Sequence, residues 1–375
     1  MTAPPVSFER RSFPDLPGWF GEPHLAAAFA AFRRSAPRLL SGDAKSGTLG
    51  VSADSFREAA AAALAAPARI EEAEARTFFE RFFVPLAIRP GSNARGGRGF
   101  LTGYYEPVVP ASPVRTAEFR TPLYAPPEDL VKVDDETRPF GLDPYFRFAR
   151  RRSDGHLDEH PDRGAITDGA LDGRGLEIAW LADPVDAFFI HVQGSARLEY
   201  PDGRRPRVTY AAKTGHPFTA IGRILVEEGE LRLEDADMDG IRRWLAAHPA
   251  RVDALLRRNR SFIFFREAPV EDEQLGPVAA AKVPLEPLAS IAVDRELHTF
   301  GAPVFVGTDA LGIEGAPFRR LTVAQDTGSA ILGPARADLF VGSGREAGSL
   351  AGRVRHAADF ALLVPEPLAA TLTRP

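Results

Sequence analysis

The sequence predicts a mixed α+β protein built around one β-rich core. Residues 23–87 contain Ala- and Leu-rich stretches with apolar residues at helical spacing. From about residue 183 the pattern becomes β, and between 288 and 341 short apolar runs are separated by Gly, Pro and Asp. The chain also has 33 Gly and 33 Pro among 375 residues, which predicts many turns and short elements.

The composition is that of an ordinary globular protein, with length enough for two or three domains. A hydrophobic fraction of 44% and a charged fraction of 26% exclude wholesale disorder. The net charge of −5 argues against nucleic acid as the main partner, because phosphate binding usually requires a basic surface. The absence of Cys excludes disulfides, thiolate metal sites and cysteine nucleophiles in this chain.

The sequence shows no membrane-targeting feature. No run of about 18 apolar residues is present, so no transmembrane helix is expected. The first residues, MTAPPVSFERRSFPDLPGWF, lack the apolar core of a secretory signal. Either the protein stays inside the cell, or the given start omits an export segment.

The first third of the chain predicts an extended arm, several helices and then a strand. Residues 1–22 are Pro-rich, and helices are predicted at 24–31, in the alanine run 59–63, and at 71–83. The glycine-rich segment 91–99 is interpreted as a flexible or phosphate-like loop, although it matches neither a P-loop nor a dinucleotide pattern. A strand is predicted over 100–105. Six prolines within 107–127 then indicate a domain crossing or irregular edge strands.

The middle of the chain predicts strands and three helices. Residues 188–193 are interpreted as a strand that ends at Gly194. A hairpin is predicted from strands 197–200 and 207–210 around the turn 201–203. Helices are predicted at 219–228, 239–247 and 249–258, followed by a strand at 261–265.

The segment 324–344, AQDTGSAILGPARADLFVGSG, is the most informative about chemistry. It places Asp326 and Asp338 at the edges of apolar strands, and Asp294 follows another predicted strand. Burial beside apolar residues raises the pKa of a carboxyl group, which suits a general acid. The alternative is that these aspartates cap turns and accept hydrogen bonds from nearby backbone amides.

Other catalytic patterns have less support. Residues 326–329 spell the D-T-G-S pattern of aspartic proteases, but those enzymes need two such aspartates and the chain has one copy. The serines lack a G-x-S-x-G elbow. His156 and His160 are bracketed by Gly and Pro, so we interpret their segment as a solvated acidic loop, and His191 and His216 as structural. No metal site is predicted.

The string GYYEP at 103–107 offers a second candidate site. Tyr104 and Tyr105 have flat apolar faces with hydroxyl groups, which suit stacking on sugar rings. The alternative is a buried aromatic pair at a domain junction.

Together, these strings resemble the membrane-bound lytic murein transglycosylase A family. The resemblance runs from about Gly103 to about Pro365. It rests on GYYEP and, further along, on FFIHVQGSARL at 188–198, YAAKTGHPFTAIGRIL at 210–225, NRSFIFFRE at 259–267, VPLEPLASIAVDR at 283–295, the segment 324–344, and EAGSLAG at 346–352. The C-terminal part also resembles the 3D domain, named for three aspartates, here Asp294, Asp326 and Asp338.

The resemblance implies a mainly β fold with α-helices. A double-psi β-barrel domain carries an inserted, smaller β-barrel-like domain, with a substrate groove between them. In this sequence, residues 1–107 would form the arm, the helices and the first part of the barrel domain. Residues 108–268 would form the insertion, residues 269–365 the 3D domain that completes the barrel, and residues 366–375 a tail.

The resemblance also implies an activity. The family cleaves the β-1,4 bond between N-acetylmuramic acid and N-acetylglucosamine in peptidoglycan without water, leaving 1,6-anhydromuramic acid ends. Asp338 matches the catalytic acid/base, and Asp326 the second aspartate, a candidate for orienting the site or stabilising an oxocarbenium-like centre. The residues expected to line the groove are Tyr104, Tyr105, Gln193, Ser195 and Asp294. No cofactor is expected.

Three residues near the carboxylates modify this expectation. Ser329 stands where many relatives have glycine and Leu332 where lysine is common, which affects substrate contacts more than the reaction. Arg336 would lower the pKa of Asp338 if both faced one side of a strand. We therefore expect Arg336 to point away from Asp338.

The sequence thus predicts a peptidoglycan lytic transglycosylase of cell-wall turnover, with glycan strands as its partner. The alternative is a non-catalytic peptidoglycan-binding or envelope scaffold protein of the same fold. The chemistry implies the periplasm or cell envelope, with outer-membrane association as an option. The given chain contains neither a signal peptide nor an anchoring cysteine to account for that location.

Overall fold

The computed structural model describes residues 6–21, 24–90, 97–313 and 315–373. They form two compact units. The first consists of the residues up to Tyr105 together with those from Asp272 onward, and the second of Glu106–Glu271. The expected arm at 1–22 and loop at 91–99 lie partly outside the described residues.

The helices are α1 (Leu25–Ser41), α2 (Arg57–Ala65), α3 (Glu72–Phe82), α4 (Arg163–Thr167), α5 (Pro184–Gln193), α6 (Ile221–Glu227), α7 (Met238–Ala247), α8 (Val252–Arg257), α9 (Gly344–Arg353) and α10 (Glu366–Leu372). In the described part of the chain, no helix combines the length and apolarity needed to cross a membrane.

The strands are β1 (Ser7–Arg10), β2 (Val84–Arg89), β3 (Gly99–Glu106), β4 (Val108–Ser112), β5 (Thr121–Tyr124), β6 (Leu130–Lys132), β7 (Phe148–Arg151), β8 (Leu157–Asp158), β9 (Glu177–Leu181), β10 (Ser195–Glu199), β11 (Arg207–Lys213), β12 (Ile263–Ala268), β13 (Ser290–Val293), β14 (Pro303–Ile313), β15 (Ala316–Asp326), β16 (Arg336–Ser343) and β17 (Arg355–Val364).

The first unit contains a closed six-stranded barrel. Its sheet has the order β1-β2-β17-β14-β15-β13-β16-β3, and β17 also pairs with β3. This second pairing closes the ring β17-β14-β15-β13-β16-β3, while β2 and β1 extend from β17. Leu101, Phe318 and Phe340 are among its largest buried side chains. The expected mainly β fold with a barrel is confirmed.

Helices α1 to α3 belong to the same unit, and their aromatic residues pack together. Phe32 of α1 lies 6.4 Å from Phe79 of α3 and 5.8 Å from Phe83, measured between ring centroids. The predicted helices are confirmed, and α1 is longer than expected. It continues through Pro37 to Ser41, where Gly42 adopts a φ of 82° and ends the helix.

The second unit is built on a six-stranded sheet with the order β12-β11-β10-β4-β9-β5 and a three-stranded sheet β6-β7-β8. The predicted hairpin is confirmed, because Ser195 of β10 pairs with Thr209 of antiparallel β11. Tyr124 of edge strand β5 and Phe264 of edge strand β12 share one buried cluster, so the larger sheet curls into a barrel-like form.

The strand predicted at 188–193 is wrong, because these residues belong to helix α5. The side chain of Asp183 caps the helix by accepting a hydrogen bond from the Val185 amide, and Pro184 occupies the first turn. Gly194 ends the helix with a φ of 80°. A short run that is apolar at nearly every position fits a buried helix as well as a strand, so the alternation was not decisive.

Candidate active site

Two carboxyl groups of the barrel lie at the same level on the strands that flank β13. Ala292 of β13 is the register partner of Asp326 on β15 and of Asp338 on β16. Directly paired residues point their side chains to the same face of a sheet. Adjacent strands are about 4.8 Å apart. The two aspartates therefore share one face, with only the methyl group of Ala292 on the strand between them.

Strand β3, which neighbours β16, supplies a hydroxyl group to each carboxyl group. Thr102 and Tyr104 are two residues apart and lie on the same face of the strand. The Tyr104 hydroxyl donates to Asp326 Oδ2 at 2.8 Å. The Thr102 hydroxyl donates to Asp338 Oδ1 at 2.5 Å. The sequence predicted Tyr104 as a site residue but missed Thr102, which the alternation along β3 would have identified.

Asp326 is surrounded by donors. Besides the Tyr104 hydroxyl, the backbone amides of Thr327 at 2.8 Å and Ala280 at 3.3 Å donate to its Oδ1. Burial is the largest influence and raises the pKa of Asp326 above its ordinary value, although these three hydrogen bonds lower it. Burial and the charge of Asp326 hold the pKa of Tyr104 well above its ordinary value, so this residue remains a hydroxyl donor. The arrangement suits an aspartate that acts as an acceptor.

Asp338 has a different environment. It is half-buried, and among the described residues only the Thr102 hydroxyl hydrogen-bonds to it, at Oδ1. Burial and the charge of Asp326 raise the pKa of Asp338, whereas the Thr102 hydrogen bond and the charge of Arg336 lower it. None of the described residues therefore donates a hydrogen bond to its Oδ2. A carboxyl group with a raised pKa and one open oxygen is suited to general acid catalysis.

Arg336 does not point away from Asp338, so this expectation is wrong. Its Nη2 donates to the Thr102 hydroxyl at 2.7 Å, and its Nη1 donates to the Ala337 carbonyl. Its guanidinium also lies 5.5 Å from the ring centroid of Phe100. Among the described residues it forms no direct ion pair with Asp338. Strand alternation places Arg336 and Asp338 on one face, and Thr102 lies between their charged groups.

Asp294 accepts hydrogen bonds from backbone amides of the loops around it. Its Oδ2 accepts from the Gly333 amide at 2.8 Å and its Oδ1 from the Glu296 amide at 3.1 Å. His298 lies nearby in the chain and its Nε2 contacts the Pro334 carbonyl at 2.9 Å. These contacts anchor the loop that leads into β16. They agree with the turn-capping alternative for this aspartate.

Tyr105 points to the opposite face of β3 from Tyr104. It is buried against α9, and a Cβ atom placed on Gly348 would lie 2.9 Å from its ring. Strand alternation thus separates the two tyrosines. Tyr104 contacts a carboxylate, and Tyr105 packs in the core.

Gln193 and Ser195 lie in the second unit, on either side of Gly194. Gln193 is the last residue of α5, and Ser195 is the buried first residue of β10. The tight turn at Gly194 holds both residues close to the start of the hairpin. Their role in substrate binding stays a prediction.

His160 is not in a solvated loop, which corrects the interpretation of its segment. It is 1% exposed and its ring lies 5.5 Å from that of Phe264, while His156 is exposed. The His160 carbonyl contacts His216 Nε2 at 2.7 Å. The described residues contain no group of three or more His, Asp or Glu side chains arranged to hold a metal ion.

The barrel and its two unlike carboxyl groups define a protein equipped for acid–base chemistry, and comparisons with known proteins identify the family. The MltA specific insert domain model matches residues 100–266, and the 3D domain model matches residues 289–364. The crystal structure of a membrane-bound lytic murein transglycosylase from Agrobacterium tumefaciens is 44% identical, with a TM-score of 0.89. The match covers 98% of this chain and 99% of that one.

Two further relatives indicate the same family. MltA from Neisseria gonorrhoeae, in its monoclinic form, is 32% identical with a TM-score of 0.78, over 96% of this chain and 93% of that one. Membrane-bound lytic murein transglycosylase A of Escherichia coli K12 is 33% identical over 263 residues, which are 68% of this chain and 63% of that protein. The match thus spans less than two thirds of that relative. The chain belongs to the membrane-bound lytic murein transglycosylase A family.

Proposed function

We propose that this protein is a peptidoglycan lytic transglycosylase with Asp338 as its acid/base. It cleaves the β-1,4 bond between N-acetylmuramic acid and N-acetylglucosamine and leaves a 1,6-anhydromuramic acid end. The observation that carries the proposal is the contrast between the two carboxyl groups. Burial raises the pKa of both groups, but Asp326 accepts three hydrogen bonds, whereas Asp338 accepts one and its Oδ2 accepts none from the described residues.

A glycan substrate is supported by a family member in complex. The structure of Escherichia coli MltA with bound chitohexaose is 27% identical to this chain, with a TM-score of 0.68. By family resemblance the substrate here is a peptidoglycan glycan strand. Tyr104, Gln193 and Ser195 remain candidates for contacting it, while the contacts of Tyr105 and Asp294 favour structural roles for those two residues.

The first half of the reaction is bond cleavage. Asp338 Oδ2 donates its proton to the glycosidic oxygen, the bond from that oxygen to C1 of muramic acid breaks, and N-acetylglucosamine leaves with a free hydroxyl group. Positive charge develops at C1. Asp326, held as an acceptor by its three donors, stabilises that charge electrostatically.

The second half closes the anhydro ring. The Asp338 carboxylate takes the proton of the C6 hydroxyl group, and O6 bonds to C1 of the same sugar. This regenerates the protonated acid. One carboxyl group serves both steps because the nucleophile is tethered to the reacting carbon. A hydrolase would need a second carboxylate to activate an external water.

Domain organisation and location follow from the same proposal. The segment 108–268 would be the inserted domain, and 269–365 would complete the barrel begun before residue 107. Peptidoglycan as substrate places the protein in the periplasm or cell envelope.

Digestion of purified sacculi, with products identified by mass spectrometry, tests the function. We expect 1,6-anhydromuropeptides from the wild type and a rate at least about a hundredfold lower for Asp338→Asn. The matched control is Asp309→Asn, which changes an exposed barrel carboxylate paired with Arg319 and should retain full activity. Products with reducing muramic acid ends would show a hydrolase. Sacculus binding without turnover by the wild type would show the scaffold alternative.

A further inference from the structure

The proposed chemistry requires the proton of Asp338 on one particular oxygen. A carboxylic acid has two oxygens, and only one can face the glycosidic bond. In this protein Oδ1 is occupied by the Thr102 hydroxyl, and Oδ2 receives no hydrogen bond from the described residues. The contacts of Thr102 determine which of the two oxygens carries the acid proton.

The Thr102 hydroxyl lies between the guanidinium group of Arg336 and the carboxyl group of Asp338. Arg336 Nη2 is 2.7 Å from Thr102 Oγ1, and Thr102 Oγ1 is 2.5 Å from Asp338 Oδ1. A guanidinium group has only donors, so the hydroxyl oxygen must accept from it. The single hydroxyl proton is then free to point only at Oδ1. Because Oδ1 accepts this proton, it cannot carry one in the same direction, and the acid proton is placed on Oδ2.

Further contacts of the Arg336 guanidinium group fix its position beside Thr102. Its Nη1 donates to the Ala337 carbonyl and lies 3.5 Å from the Phe100 carbonyl, so it bridges β16 and β3. Its guanidinium lies over the Phe100 ring. Within the described ranges no carboxylate forms an ion pair with it, so its hydrogen bonds go to carbonyl and hydroxyl oxygens. In the described part of the chain, Thr102 Oγ1 is the one acceptor hydrogen-bonded to Nη2.

We propose that Arg336, acting through Thr102, is a positioning residue that fixes the acid proton of Asp338 on Oδ2. We call the chain of hydrogen bonds from Arg336 to Thr102 to Asp338 the relay. The relay follows from the geometry, and its consequence for turnover rests on the proposed function. It explains why a guanidinium group can lie beside a general acid without an ion pair. Arg336 orients the hydroxyl instead of neutralising the carboxyl group directly.

The charged and titratable groups around Asp338 set the expected pH response. They are Asp326 on β15, Tyr104 on β3 and Arg336 on β16. Removing the Thr102 hydroxyl or the Arg336 charge takes away an influence that lowers the pKa of Asp338, and leaves burial and Asp326, which raise it. The upper pH limit of the acid-dependent rate should therefore move to higher pH. A change that only loosened the fold would reduce activity without moving this limit.

The test compares Thr102→Val and Arg336→Met with Thr102→Ser, which keeps the hydroxyl group. The matched control is Arg98→Met, which removes an exposed guanidinium paired with Asp359 on the same barrel. Two measurements are made. One is the pH profile of kcat and KM with purified peptidoglycan. The other is the titration of the Asp338 carboxyl carbon by ¹³C NMR in the unliganded protein, with the resonance assigned by its loss in Asp338→Asn.

For Thr102→Val and Arg336→Met we expect kcat about tenfold lower, KM little changed, and both the rate limit and the NMR titration shifted to higher pH. Thr102→Ser, which keeps the hydroxyl group, should keep the rate limit and the titration at the wild-type pH, and Arg98→Met should behave as the wild type. An unshifted titration in both Thr102→Val and Arg336→Met would overturn the relay, as would an equal shift in Arg98→Met. If Thr102→Val fails to fold, Thr102→Ala replaces it, because loss of the Arg336 charge alone also shifts the titration. If the wild type forms no anhydro product, the proposed function fails, and the NMR titration still decides the relay.

Discussion

Asp326 and Asp338 are both register partners of Ala292, on either side of the strand that carries it. The fold thereby presents two carboxyl groups at one level and on one face of the barrel. Their protein donors make them different, because from the described residues Asp326 accepts three hydrogen bonds and Asp338 one. This difference supports the proposed roles of Asp338 as the acid and of Asp326 as the charge-stabilising group.

Asp326→Asn should separate these roles. The amide oxygen can still accept from Thr327 and Ala280, and the Tyr104 hydroxyl can turn to accept from the new NH₂ group, so the fold should be retained. Loss of the negative charge should lower kcat about tenfold to a hundredfold. It should also move the upper pH limit of activity to lower pH, because Asp326 raises the pKa of Asp338.

The measurement is the pH profile of kcat on purified peptidoglycan, and Tyr104→Phe is the comparison because it keeps the charge. The shift is opposite in sign to that expected for Thr102→Val. If Asp326→Asn moved the limit to higher pH, or left kcat unchanged, Asp326 would not have the role assigned to it.

Glu106→Gln should strongly destabilise the protein. The Glu106 carboxylate is fully buried and accepts from Arg207 Nε at 2.5 Å, from Arg207 Nη2 at 3.0 Å and from Arg197 Nε at 2.8 Å. Removing its charge leaves two guanidinium groups without that counter-ion, which costs about 3–5 kcal/mol. Urea unfolding measures the loss. The exposed Glu118→Gln should cost less than about 0.5 kcal/mol, and equal losses in both variants would contradict the prediction.

Gly348→Ala tests the packing of Tyr105. In an unobstructed helix this change would stabilise by about 0.5–1 kcal/mol. Here the new methyl group would lie 2.9 Å from the Tyr105 ring, so we expect a net loss of about 1–3 kcal/mol in the free energy of unfolding. Ser349→Ala at the exposed neighbouring position should be neutral or slightly stabilising. Recovery of stability in the double variant with Tyr105→Leu would identify the ring as the obstacle, and a stabilised Gly348→Ala would refute it.

Stability should fall with acidification because of His191. Burial and the neighbouring charge of Arg163 hold the pKa of this histidine well below its ordinary value of 6.5. The unfolded chain therefore binds a proton below about pH 6.5 that the folded protein does not, and the contribution present above that pH is lost as the pH falls.

His191→Asn should reduce this dependence. The amide oxygen can replace Nδ1 as the acceptor for Arg163 Nη2, which lies 3.2 Å away, but the amide does not titrate. Unfolding free energies measured between pH 5 and 7.5 should vary less than in the wild type. The exposed His156→Asn is the control, and a slope that remains unchanged in His191→Asn would disprove the assignment.

Local sequence patterns were sufficient for much of the fold. The hairpin around 201–203, helices α1 to α3 and α6 to α8, and strand β3 depend on turn residues and on helical or alternating spacing, and these predictions are confirmed. The error at α5 has a physical cause. An apolar run with few polar positions carries no period, and only the cap at Asp183 and the turn at Gly194 distinguish the helix.

The family, the carboxyl groups available for chemistry and most of the strands that carry them can be inferred from the amino-acid sequence. Tertiary structure decided which neighbours those groups have. Thr102 and Arg336 are more than two hundred residues apart in the chain, and only the closed barrel places them together beside Asp338. Hydrogen-bond donors and burial control a carboxyl pKa, and both are properties of the assembled barrel and not of the neighbouring sequence.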